Sequence, residues 1–187
     1  MRKESSSFRD KSGFVFYDQN NIYRAVNKTY QQQFDSFLSS GLYELLVQQK
    51  LIIPHKEVPA NDWPRLEISL ASQVYKILAP EKLSYISYPY EWCFQQLKDA
   101  ALLTLDIQLK ALEHKMTLKD ASAFNVQFHK GKPVFIDTLS FDHYEEGNPW
   151  VAYRQFCCHF LAPLALMANT TADLRRLSEL FIDGIPL

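Results

Sequence analysis

Apolar and polar positions first alternate along this chain and later recur at helical spacing. Gly13–Asp18 (GFVFYD) and Ile22–Val26 (IYRAV) are β-rich runs around a polar Gln–Asn–Asn stretch, the pattern of a β-hairpin over residues 13–26. From Lys28 to Lys50 the pattern turns helical, with Tyr30, Phe34, Phe37 and Leu38 on one face. Gly41 is placed to break that stretch into two helices. Residues 51–58 (LIIPHKEV) predict a strand, and Pro54 places it at a sheet edge. After a loop over 59–67, SQVYKIL and LSYISYPY predict two more strands separated by APEK. In the second half, Leu102, Leu105, Leu109, Leu112 and Met116 recur at threes and fours, the stripe of an amphipathic helix over residues 95–116. KDASAFN, NVQF, HKGK and PVFID then predict a polar loop and a second hairpin turning at Gly131. Residues 149–168 are helical, kinked or ended by Pro163, with Trp150, Tyr153, Phe156 and Phe160 as core; a last helix covers about 171–182.

This order predicts an α+β fold: a loose N-terminal arm at 1–12, a small antiparallel β lobe at 13–91 and a helical lobe at 92–187. Composition is that of a globular domain, 47% apolar and 22% charged over 187 residues. A net charge of −1 gives no footprint for nucleic acid or an anionic membrane. No apolar run approaches the roughly 20 residues of a membrane span, and Met1–Ser12 lacks the apolar core of a signal peptide, so the expected location is the cytoplasm. Cys93, Cys157 and Cys158 are expected to be reduced thiols. Neither they nor His55, His114, His129, His143 and His159 have zinc-ligand spacing, and no GxSxG elbow supports a hydrolase.

The chemistry concentrates in residues 118–142. Asp120 is followed five residues later by Asn125 and twelve beyond that by Asp137, which ends the apolar strand PVFI. Phosphoryl transfer needs an acid–base group beside the acceptor hydroxyl and oxygen ligands for magnesium on the phosphates. Asp120 fits the first role, Asn125 and Asp137 the second. The plainer alternative makes them a helix cap, a turn residue and a strand terminator. In kinase-like folds a basic residue on an early strand meets the phosphates and pairs with a Glu on the next helix, and that resemblance makes Arg24 and Glu44 a candidate pair, set against a surface Arg and a solvated Glu. Resemblance to kinase-like folds places Glu91–Phe94 at the crossing between the two lobes and implies an adenine ring against that backbone, with Glu91 among the cofactor contacts. Asp142 and Glu145–Glu146 read as a solvated loop.

The block LKDASAFNVQFHKGKPVFIDTLSF resembles the catalytic loop and metal hairpin of kinase-like small-molecule phosphotransferases, the aminoglycoside and choline kinase type. That resemblance implies a two-lobed protein-kinase-like fold with Mg-ATP as cofactor, Asp120 as base, and Asn125 and Asp137 as magnesium ligands. Leu118 stands where that family has His, and the first hairpin carries Gly13 alone instead of a glycine-rich loop. A longer resemblance runs through ISYPYEWCFQQLKDAALL, DASAFNVQFHKGKPVFIDTLSF and NPWVAYRQFCCHFLAPLALM. It is to the N-terminal region of bacterial class I S-adenosylmethionine-dependent methyltransferases, some related to nodulation proteins.

That second resemblance implies an accessory or ligand-binding module, its partner a small molecule or a C-terminal methyltransferase domain. The five glycines are isolated, so S-adenosylmethionine is not expected to bind this segment. About 45 residues follow Asp142, which makes the helical lobe short for a kinase-like enzyme. Three function classes follow: the module with a partly retained phosphotransfer site, an active ATP- and Mg-dependent small-molecule phosphotransferase, and a structural α+β domain.

Overall fold

The computed structural model describes residues 2–3, 11–64, 66–170 and 175–186. Of the N-terminal arm, only Arg2–Lys3, Lys11 and Ser12 fall within them. Arg2–Lys3 forms a short strand, β1, paired with Phe16 and Tyr17. β2 (Gly13–Asp18) and β3 (Asn21–Asn27) make the first hairpin, with Gln19 in the left-handed region at the turn. A 3-10 turn leads into α1 (Gln31–Ser39) and α2 (Leu42–Gln48), separated at Gly41, whose φ of 80° ends the first helix. β4 (His55–Glu57) and β5 (Val74–Pro80) complete an antiparallel sheet of order β1-β2-β3-β5-β4. β4 lies at the edge, as Pro54 demands.

LSYISYPY is not a strand. Leu83–Tyr88 runs irregularly into a 3-10 turn at Pro89–Glu91, because Pro89 removes a ladder donor and the Glu91 carboxylate accepts from Tyr88 N at 2.7 Å, capping that turn. A short helix, α3, covers Ile68–Ala71. α4 (Phe94–Glu113) is the long helix, followed by β6 (Met116–Leu118), the hairpin β7 (Val126–His129) and β8 (Lys132–Phe135), and β9 (Phe141–His143), which pairs with β6. Lys130 and Gly131, at φ of 51° and 77°, turn the second hairpin. α5 (Tyr153–Phe156), a π turn at Cys157–Leu161, α6 (Ala162–Asn169) and α7 (Arg175–Leu180) follow. Pro163 follows directly on the π turn inside one continuous helical run, and the carbonyl of Cys158, five residues before it, accepts instead from Ile185 N at 2.9 Å.

The cores run across the residue-91 boundary. Phe37, Leu42, Leu46 and Ile52 cluster with Leu97, Ile107, Leu118, Phe135 and Phe141 from the second half. Phe37 and Phe141 stack with centroids 4.2 Å apart, and the Tyr30 hydroxyl donates to the Phe141 carbonyl. A separate cluster under the sheet holds Phe14, Phe16, Ala25, Val74 and Ile77. Residues 51–53 run beside β8, with Ile53 N donating to Phe135 O and Phe135 N to Leu51 O, both at 2.8 Å. Gly13 lets the sheet approach this junction. A Cβ there would lie 2.0 Å from Ala25 O and 2.7 Å from a Leu139 methyl. The glycine is demanded by packing, not by a phosphate loop.

α4 buries a different face from the one its leucine stripe suggests. Leu97, Ala100, Leu103, Ile107 and Ala111 are buried, whereas Leu102 is 54% and Leu109 62% exposed.

Candidate functional site

The loop after β6 is held by side chains around it before any ligand is considered. Gln108 of α4 is buried and its carbonyl accepts from Leu118 N at 2.8 Å, while Trp150 Nε1 donates to Leu118 O at 2.7 Å. Gln155 Oε1 accepts from Ala121 N at 2.8 Å. Asp120 Oδ1 accepts from Ser122 N at 3.0 Å, and Ser122 Oγ from Phe124 N at 3.2 Å, so local side-chain oxygens close the loop into the 3-10 turn Ala123–Asn125. Leu118, which stands at the His position of the resembled motif, is fully buried.

Asp137 sits where the strand ends. Its Oδ1 accepts from Arg24 Nη2 at 2.9 Å and from Leu139 N at 3.1 Å, and its Oδ2 from Ser140 Oγ at 2.7 Å. Arg24 belongs to β3, so this ion pair ties the sheet to the segment after β8 across 113 residues of sequence. Asn125 Nδ2 donates to Ser140 Oγ at 3.2 Å, and Ile136 N to Asn125 O at 2.8 Å.

A cavity of about 750 Å³ opens here, lined by Arg24, Asp120, Asn125 and Asp137 among its polar groups. Val15, Ile22, Ile53, Leu78, Leu83 and Ile136 supply apolar wall. Arg24 and Leu78 are direct cross-strand partners, as are Arg24 and Val15, so these three share one sheet face. The volume falls within the range of small-molecule sites.

Four of the six residues singled out in the sequence thus line one cavity. Glu44 does not; it is exposed on α2, and the carboxylate that meets Arg24 is Asp137 instead. Glu91 does not either, because its carboxylate caps the Pro89 turn. The chain passes the cavity ten residues earlier, where Glu81, Lys82, Leu83 and Ile86 line it.

Three further residues escaped sequence reasoning. Ser140, 1% exposed, joins Asn125 to Asp137. Lys119 lines the cavity, donates to Ser12 Oγ at 2.6 Å and lies 4.0 Å from the Tyr30 ring centre. Its position next to Asp120 was the available signal. His55 also lines the cavity, its ring 4.4 Å from that of Tyr43. Burial lowers its pKa to about 4, against a smaller opposing pull from Glu57. His159 packs edge-on to Phe124; burial lowers its pKa too, with Asp120 and Asp183 opposing.

Magnesium would need oxygen ligands and tolerates few from protein. Asn125 and Asp137 present an amide and a carboxylate on one cavity, linked by one hydroxyl, and so fit such an ion. Among the described residues, no group of three or more His, Cys, Asp or Glu side chains gathers as a metal cluster.

No family model matches the chain. Over 162 residues it is 37% identical to the nodulation protein NoeA of Rhizobium meliloti (strain 1021), a match covering 87% of this chain and 33% of that protein. The chain thus spans about a third of the length of the curated relative it matches. Solved structures of kinases overlap it. They include vaccinia related kinase 3 (TM-score 0.44, 13% identity, 77% of this chain and 48% of that one). A Legionella pneumophila kinase bound to IP6 overlaps at a TM-score of 0.49 and 12% identity, over 94% of this chain and 67% of that one. At these scores neither overlap says what this chain does.

Proposed function

We propose that this chain is a kinase-like ligand-binding module of a larger protein, with Mg-ATP as the ligand of the cavity between the sheet and the β7–β8 hairpin. The observation that carries the reading is convergence. Arg24 from β3, Asp120 and Asn125 from the loop after β6, and Asp137 from the end of β8 line one cavity whose remaining wall is largely apolar. A purine would lie between Val15, Leu78 and Ile136, beside the backbone of Glu81–Ile86. The phosphates would lie toward Arg24, whose guanidinium suits phosphate oxygens. Asn125 and Asp137 would hold magnesium, which when bound neutralises phosphate charge. Asp120 is the group available to take a proton from an acceptor hydroxyl, and its presence in the same cavity is what favours the second reading, an active small-molecule phosphotransferase. The module ranks first because nothing in the β2–β3 hairpin cradles phosphate: its glycine is fixed against Ala25 and Leu139.

The larger protein is the other half of the proposal. The relative's length leaves room for a further domain, and a C-terminal methyltransferase is the one the sequence resemblance implies. Leu180, Phe181 and Ile182, 76%, 42% and 64% exposed, are the apolar surface proposed to meet it. S-adenosylmethionine would then belong to that domain and not to this cavity.

Thermal-shift titration separates the readings. Mg-ATP at one hundred times its Kd should stabilise the chain by about 2.7 kcal/mol, a rise of roughly 5–10 °C, and S-adenosylmethionine should give none. No rise with any Mg-nucleotide would sink the nucleotide reading, and a rise with S-adenosylmethionine alone would replace it.

A further inference from the structure

We infer that Ser140 is a positioning residue that fixes which oxygens of Asn125 and Asp137 face a cation, an inference that rests on the magnesium reading above. Counting protons fixes the orientation. A serine hydroxyl has one proton and two acceptor sites. The Asp137 carboxylate can only accept, so at 2.7 Å the Ser140 proton belongs to Asp137 Oδ2. Ser140 Oγ can then only accept from Asn125, at 3.2 Å, so the group facing it must be the amide NH2. Asn125 Oδ1 is consequently turned away from Ser140, on a residue that lines the cavity. Without Ser140 the amide could rotate by half a turn and offer a cation its NH2 instead.

Asp137 is divided in the same way. Oδ1 takes both Arg24 Nη2 and Leu139 N, whereas Oδ2 takes Ser140 Oγ. Of the two, Oδ2 meets no cationic group in these bonds, and it shares the Ser140 hydroxyl with Asn125. The hydroxyl is itself fixed. Ser140 is 1% exposed, its carbonyl accepts from Lys119 N at 2.8 Å, and its N–H donates to Asp137 O at 3.3 Å. Ser140 therefore couples the residue before Asp120 to both proposed ligands, as outer-shell partners of metal ligands do.

The test compares the full chain with S140A and S140T. Two readouts are used: solvent exchange of the Asn125 side-chain amide protons by NMR, and binding of Mn²⁺ with ATP by EPR. S140A should speed amide exchange by at least about tenfold, and weaken Mn²⁺–ATP binding by about 10- to 100-fold. S140T, which keeps the hydroxyl, should hold both near wild type. If S140A does not fold, S140C keeps the volume with a weaker donor and carries the same expectation. A folded S140A with unchanged amide exchange and unchanged Mn²⁺–ATP affinity overturns the inference. Wild type that takes up no Mn²⁺–ATP overturns the magnesium reading and the cation role together, and amide exchange alone then decides whether Ser140 holds Asn125.

Discussion

The ion pair between Arg24 and Asp137 should be measurable as a coupling between the sheet and the β7–β8 hairpin. Its nitrogen and oxygen are 2.9 Å apart, and the side chains are 16% and 20% exposed. At the effective dielectric that describes partly buried sites, two unit charges at that distance attract by about 6 kcal/mol. Desolvation of both groups offsets much of this, leaving an expected coupling of about 1.5–3 kcal/mol. The single substitutions should be unequal. Arg24→Ala removes one donor to Asp137, for a cost of about 2 kcal/mol, whereas Asp137→Ala also takes the acceptor from Leu139 N and Ser140 Oγ and should cost about 3–4 kcal/mol. For a domain of this size Asp137→Ala corresponds to a melting temperature roughly 6–16 °C lower.

The assay is a double-mutant cycle in urea, with Arg24→Ala, Asp137→Ala and the pair, in low and in half-molar salt. The double variant should be less destabilised than the sum of the singles by the coupling. Because the pair is four-fifths enclosed, salt should remove less than about half of that coupling. Additivity within about 0.5 kcal/mol would refute the reasoning, since it would mean that the two charges do not sense each other in solution.

Acid should destabilise the chain through His55. Its folded pKa of about 4 lies below the ordinary 6.5, so between those values the unfolded state binds more protons and stability falls as pH falls. The full effect is roughly 3 kcal/mol, present above pH 6.5 and lost by pH 4; His55→Gln should flatten most of that slope in urea midpoints, His159 retaining a part in the same direction. Gly13→Ala forces a methyl against a backbone carbonyl and Leu139, and should cost about 3 kcal/mol or more by the same measurement. The chain alone should show no steady ATP consumption with sugars, amino alcohols or aminoglycosides; turnover that disappears in Asp120→Ala would promote the active phosphotransferase over the module.

What was legible in the sequence was whatever depends on near neighbours. The β2–β3 hairpin, the break at Gly41, the edge position imposed by Pro54 and the Lys130–Gly131 turn are each fixed by local backbone chemistry. The order of long helix, polar loop, hairpin and Asp carried the cavity for the same reason, since topology delivers Asp120, Asn125 and Asp137 to one region once those elements form. Pairings over long sequence separation were not legible. Arg24 could meet Glu44 or Asp137 by charge alone, and the choice was made by register: Arg24 opposite Val15 and Leu78 faces the cavity, whereas Glu44 turns to solvent. Glu91 illustrates a local competition, because a carboxylate two residues after Pro89 can cap its own turn before it can reach a ligand.

The helix α4 was legible, but its buried face was not, and for a different reason. Its sequence is apolar on two sides, with leucines at 102, 105 and 109 and small residues at 100, 101 and 111. Periodicity weighs residues by hydrophobicity, so the leucines dominate it. Close packing instead selects the alanines wherever another backbone must approach, and α4 lies against β6, β7 and β8 with Ala100 and Ala111 fully buried. The leucines are thereby turned outward: Leu102, Leu105 and Leu109 are 54%, 37% and 62% exposed. Three leucines on one helical face are costly to leave in water when alanine or lysine would serve there, since each full burial is worth about 2 kcal/mol. Under the proposed reading of a module in a larger protein, these leucines are a second apolar surface, beside Leu180–Ile182, for the rest of that protein to cover.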